Sequence, residues 1–187
     1  LLGSHYAMWM KDLGHQVIGI DNLSGGYLSN VPNDIEFINE DILNLEKMTE
    51  VLVDVDIVFH AACNPYEGLS VFSPNTITLN TYQNTISIAT AAIKNDVKKF
   101  IFCSSMARYG FQEVLPFHEN QIPNPVDPYG IAKYAAEQTL SILSKVHGME
   151  LVVVVPHNIF GPNQKYDDPY RNVASIMINR MLQGKQP

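Results

Sequence analysis

Leu151-Val152-Val153-Val154-Val155 is apolar at every position. A strand with one face in water alternates apolar and polar residues; a strand covered on both faces has no need to. Five residues are too few to cross a bilayer, so the run predicts a strand of a parallel sheet, buried on both sides. Working outward, four more segments carry the same signal. Gln16–Ile20 (QVIGI) runs into Asp21, and Ile35–Asn39 (IEFIN) ends near Asp41. Val55–Ala61 contains IVFHA, and Lys99–Cys103 reads KFIFC. Helical patterns separate them at His5–Leu13, Asn44–Val53, Pro74–Asn95, Pro128–His147 and Asn172–Gln183. Ser73-Pro74 and Asp127-Pro128 each offer a capping side chain followed by Pro at the first helical position. The alternation predicts an α/β fold with a doubly wound parallel sheet. No internal repeat and no domain boundary is evident, so residues 1–187 are expected to form a single domain. The Pro- and Asn-rich loop from Gln112 to Val126 joins a strand to a helix within it.

Composition narrows the function classes. Hydrophobic residues make up 46% of the 187 and charged residues 17%, which suits a globular chain with a core. A net charge of −7 disfavours nucleic acid or an anionic membrane as partner, since both call for clustered Lys and Arg. The two cysteines, Cys63 and Cys103, show neither zinc-ligand spacing nor a disulfide framework, and no metal site is expected. A reducing, cytoplasmic compartment follows from that usage. The first residues, Leu1-Leu2-Gly3-Ser4-His5, lack the charged-then-apolar pattern of a signal peptide.

In sheets of this kind ligands bind at the carboxyl ends of the strands. Asp21 stands there, in Asp21-Asn22-Leu23-Ser24-Gly25-Gly26. A carboxylate at that point accepts both hydroxyls of an adenosine ribose and repels a 2′-phosphate, which selects NAD over NADP. A lone Asp in such a place more often closes a turn. Its distance from Gly3, 21 − 3 = 18 residues, fits the last glycine of a dinucleotide-binding fingerprint, where a glycine lets the helix pack closely on the turn. Asp41-Ile42 either brackets an adenine or caps the next helix. In His60-Ala61-Ala62-Cys63 the small side chains let a flat cofactor approach, while His60 alone is more often an interior histidine. Cys103-Ser104-Ser105-Met106 ends the fourth strand, and Tyr129-Gly130-Ile131-Ala132-Lys133 follows on a helix. Tyr129 and Lys133, four apart, share a face. The ammonium is expected to lower the phenol's pKa and so make it a base for a sugar hydroxyl, with Ser105 bonding the same hydroxyl.

DNLSGG, FHAAC, FIFCSSMARYG, DPYGIAK and PHNIFGP, in this order and spacing, resemble the UDP-glucose 4-epimerase branch of the extended short-chain dehydrogenase/reductase family. The resemblance covers nearly the whole chain. It implies a Rossmann-like fold, with Ser105, Tyr129 and Lys133 as catalytic triad and NAD as cofactor. It further implies cofactor contacts from Gly3, Asp21, Asn22, Asp41, Ile42, Ala61, Ala62, Asn80 (to within one residue), Tyr129, Lys133 and Pro156. Ser105 and Asn158 would bind the sugar nucleotide, most simply a UDP-sugar, and the complete protein would be a homodimer. Three positions depart from the pattern: Val155 replaces an Arg, His157 an aromatic residue, and Cys63 an Ala or Gly. His157 either contacts substrate or packs as a ring.

Dehydratases and decarboxylases of this resemblance carry a carboxylate just after the catalytic hydroxyl residue. Here Met106-Ala107 follow Ser105. The chemistry expected is therefore oxidation and re-reduction at one carbon: a 4-epimerase working through a 4-keto intermediate. Alternatives are another nucleotide-sugar reductase or dehydrogenase, a non-catalytic NAD-binding protein, or an inactive fragment. The resemblance also implies that the first strand of the sheet and most of a C-terminal substrate region lie outside the chain. The 187 residues alone are then expected to fold poorly, to bind little NAD, and to show an interrupted sheet, a borrowed strand or a displaced first helix.

Overall fold

A computed structural model describes residues 1–168 and 173–187. They divide into two compact units, Ile42–His157 and a second made of 1–41 with 158–187. The order of elements is α1 (Leu2–Asp12), β1 (Ile18–Asp21), β2 (Glu36–Asn39), α2 (Leu45–Val51), β3 (Ile57–His60), α3 (Glu67–Ser70), α4 (Pro74–Thr78), α5 (Asn84–Lys94), β4 (Lys99–Cys103), α6 (Pro128–His147), β5 (Glu150–Val154) and α7 (Val173–Leu182). The expected last helix began at Asn172, which lies outside the described residues. No helix of the described residues is long and apolar enough to cross a membrane.

All strand pairs are parallel, as the apolar runs predict. They form two sheets: β1–β2 in the unit of residues 1–41 and 158–187, and β3–β4–β5 in Ile42–His157. Register sets Val58 beside Phe100 and Leu151, and His60 beside Phe102 and Val153. This face lies under α5 and α6: the His60 ring bonds Thr85 of α5, and the Lys133 ammonium of α6 stands 4.9 Å from the Phe102 ring centroid.

The opposite face of the sheet is partly exposed among the described residues. Val152 and Val154 remain 37% and 41% exposed, and Ile57 44%. Side chains alternate along a strand, so Leu151 and Val153 are drawn toward α6 while their neighbours point away. Ser73 departs from expectation, giving no side-chain cap to α4, whereas Asp127 Oδ1 accepts from Gly130 N at 2.9 Å and caps α6. The continuous helix expected over Pro74–Asn95 is interrupted at Leu79–Gln83 by a π-helical turn.

Candidate active site

The Asp127 cap and Pro128 fix the first turn of α6, and that turn carries Tyr129. Lys133 follows one turn later on the same face. Both are buried, Lys133 at 1% exposure. Its ammonium donates to Cys103 O at 2.7 Å and stands 6.0 Å from the Tyr129 ring centroid. Ser105 leaves β4 in extended conformation and starts a 3-10 turn over Met106–Tyr109, its Oγ accepting from Ala107 N at 3.2 Å. The turn is tied to the exit of β5, where Ser104 N donates to Val154 O at 2.8 Å and Met106 N to Pro156 O at 3.3 Å. The Tyr129 hydroxyl faces the Ser105 hydroxyl and the Cys63 thiol. Ser105, Tyr129 and Lys133 therefore meet at the carboxyl ends of β3 and β4, beside Ala61, Ala62 and Cys63.

Electrostatics here overturn one expectation. The Tyr129 phenol is pushed above its ordinary pKa, not below it. Burial is the largest cause, and Cys63 and Glu67 add to it, while the bond with Ser105 opposes them. The Lys133 ammonium is engaged by a backbone carbonyl under the ring, so desolvation of the phenolate outweighs it. Glu67 of α3 also supplies a carboxylate near Tyr129 that the residues after Ser105 do not show. Its own pKa is raised by burial and by Asp127, and held back by His157. His157 is exposed, so the packed-ring alternative for it fails. His60 is an interior histidine: its ring nitrogen is 3.0 Å from Thr85 Oγ1, it stacks on Phe102, and burial drives its pKa to about 3. Burial likewise lifts the Cys103 thiol to about 11, away from nucleophilic use.

Asn80 turns its side chain back to Thr76 O at 2.9 Å. The buried amide beside it belongs to Asn84, which donates to Ala62 O at 3.4 Å and to Asn80 O. Ile42 is half-buried just ahead of α2.

In the other unit, Asp21, Asn22 and Asp41 cluster at the carboxyl ends of β1 and β2. Leu23 N donates to Asp21 Oδ1 at 2.6 Å, and Asn22 Nδ2 to Asp41 Oδ2 at 3.0 Å. Asp41 caps no helix; Asn44 caps α2. Gly3 lies on the N-terminal helix of this unit. It sits inside α1, and a Cβ placed there would meet nothing within 4 Å among the described residues. Asn158 is exposed, with φ of 42°.

The model of the NAD dependent epimerase/dehydratase family matches residues 1–187. The chain belongs to that family. It is 32% identical over 190 residues to a putative UDP-glucose 4-epimerase of Methanocaldococcus jannaschii, covering 100% of this chain and 61% of that protein. The UDP-glucose 4-epimerase of Thermotoga maritima, solved with UDP-glucose, superposes with a TM-score of 0.95 at 32% identity, over 99% of this chain and 61% of the other. That of Thermus thermophilus, solved with NAD, gives 0.93 at 27%, over 99% and 60%. The chain thus spans about 61% of the length of the relatives it matches.

Three features of this family member escaped the sequence reading. Gly130 lets α6 approach the Ser105 turn, since a Cβ there would lie 2.6 Å from Ala107 O. Asn84 holds the backbone after β3. Glu137, on the α6 face of Tyr129 and Lys133, binds the end of β4. The spacing of 129, 133 and 137 by four residues was the available signal for the last.

Proposed function

We propose that the complete protein is an NAD-dependent nucleotide-sugar 4-epimerase. The observation that carries this is the meeting of two hydroxyls, Ser105 and Tyr129, over a buried ammonium at the carboxyl ends of β3 and β4. The residues present suit the cofactor. The Lys133 ammonium is buried, and Cys103 O is its one hydrogen-bond acceptor among the described residues, leaving donors for a polar ligand. The Asp21 carboxylate stands at a strand end, as a ribose ligand requires, and favours NAD over NADP. In this reading Asp21, Asn22, Asp41, Ile42, Ala61, Ala62, Asn80, Pro156 and the first turn with Gly3 line the cofactor, and Asn158 contacts the substrate. All of them serve one NAD-binding domain spanning 1–187.

NAD, when bound, supplies the hydride acceptor and, in its oxidised form, a positive charge. Tyr129 takes the proton of the sugar C4 hydroxyl and later returns it. Ser105 holds that oxygen as hydroxyl and as ketone, and Lys133 keeps the phenol oriented from below. A UDP-sugar is the substrate class, by similarity to the relatives; the homodimer and the cytoplasmic location belong to the same proposal.

Tyr129→Phe in the complete protein tests it. Turnover of UDP-glucose should fall at least about 100-fold while NAD stays bound, because only the acid–base hydroxyl is removed. Near wild-type turnover would refute the mechanism.

A further inference from the structure

We infer that Glu137 is a positioning residue: through Ser104 and Arg108 it sets the Ser105 hydroxyl against Tyr129. The inference rests on the proposed reaction for its chemistry, and on geometry for everything else.

Tyr129, Lys133 and Glu137 lie at four-residue intervals along one face of α6, and each engages the segment leaving β4. Lys133 donates to Cys103 O, Tyr129 faces Ser105, and Glu137 Oε1 accepts from Ser104 Oγ. The other Glu137 oxygen pairs with Arg108 Nη1 at 2.6 Å. Glu137 and Ser104 are 6% and 3% exposed. Arg108 closes the 3-10 turn, with its guanidinium 4.9 Å from the Tyr109 ring centroid and 5.8 Å from that of Tyr134. Its Nε is buried without a hydrogen-bond partner, so the ion pair with Glu137 is what compensates the buried charge on this turn. Ser105 lies between the two residues that Glu137 grips, and its backbone has little freedom while both contacts hold. A carboxylate is needed: it is short, planar and can accept from both sides at once. Glu137 does not touch the reacting atoms, so its effect must pass through Ser105.

The test uses the complete protein with NAD bound and UDP-glucose as probe. Glu137→Gln should slow single-turnover reduction of bound NAD roughly 10- to 100-fold, the scale of a small misplacement of a catalytic group. KM for UDP-glucose should hold. Ser104→Ala, which leaves the ion pair intact, should do the same more weakly and guards against a misfolded Glu137 variant. The decisive comparison is Ser105→Ala with and without Glu137→Gln: if Glu137 acts through Ser105, the double variant is no slower than Ser105→Ala alone. Multiplying losses, or a Glu137→Gln enzyme as fast as wild type, would overturn the inference. An activity-free readout separates it from the reaction proposed. In protein carrying isotope-labelled tyrosine, the phenol carbon resonance of Tyr129 reports its contact with Ser105. Glu137→Gln should move it as Ser105→Ala does. That shift in a protein whose wild type never reduces NAD would uphold the positioning role and refute the reaction; an unmoved resonance would refute the positioning role.

Discussion

At Tyr129 the contest is between burial, which favours the neutral phenol, and the groups that bond or charge its oxygen. Burial leads, and Cys63 is the next contributor in the same direction. Cys63 also stands where the resemblance expects a smaller residue. Replacing it with Ala removes a group that raises the phenol's pKa, so the acid limb of the kcat–pH profile should move to lower pH. Glu67→Gln acts in the same sense, by removing a neighbouring negative charge. An unchanged or upward-shifted limb in Cys63→Ala would show that the thiol does not bear on the phenol. The grouping of Tyr129 and Lys133 was legible in the sequence, because residues four apart on a helix share a face. The direction of the phenol's shift was not, because spacing says nothing about desolvation, and Cys63 and Glu67 reach Tyr129 from elements far away in the chain.

Among the elements, α6 positions the site, and its closeness to the Ser105 turn depends on Gly130. A Cβ at Gly130 would lie 2.6 Å from Ala107 O and 3.1 Å from Pro125 Cβ. Ala gains up to about 1 kcal/mol over Gly as a helix former. The clash is with backbone, however, which cannot rotate aside, and overpacking of this kind costs about 1–3 kcal/mol. Gly130→Ala should therefore lower the urea midpoint and also slow turnover, because relief of the clash moves Tyr129 away from Ser105. A variant as stable and as fast as wild type would contradict this close approach. The π-helical turn at Leu79–Gln83 is a second device of this scale. The widened turn turns Asn84 and Thr85 inward, where their side chains bond the carbonyls of Asn80 and Thr81. Asn84 then also reaches Ala62 O. The sequence shows one helical pattern through this region, since a single π-helical turn carries no residue signature of its own.

In the molecule as a whole, every buried residue among those described lies between Met48 and Met149. Phe100, Phe102, Leu140 and Ile77 form this core, all within the Ile42–His157 unit. Opening free energy follows burial and local density. Amides of β4, α5 and α6 should therefore exchange with solvent far more slowly than those of β1 and β2, by hydrogen-exchange mass spectrometry; equal protection would contradict the assignment. The same core holds His60 neutral. Its pKa of about 3 lies below the ordinary 6.5, so the unfolded chain binds more protons between these values. Stability from His60 is thus full above about pH 6.5 and is lost as pH falls toward 3, at up to about 1.4 kcal/mol per pH unit. Between pH 6.5 and 5 the wild type should lose roughly 2 kcal/mol more than His60→Asn in urea titrations. Parallel slopes for the two proteins would mean that His60 is protonated in the fold.

The sequence by itself determined the parallel α/β arrangement, the strand positions to within two residues, and the order of Ser105, Tyr129 and Lys133. These follow from local rules: apolar runs, caps and helical spacing act over a few residues. Tertiary structure decided the rest. Only packing shows that β5 leaves Val152 and Val154 half-exposed among the described residues, and that burial pushes the phenol of Tyr129 above its ordinary pKa. Only packing brings Glu137 onto Ser104 and Arg108. Each of these depends on which distant atoms exclude water from a group, and no local pattern encodes that.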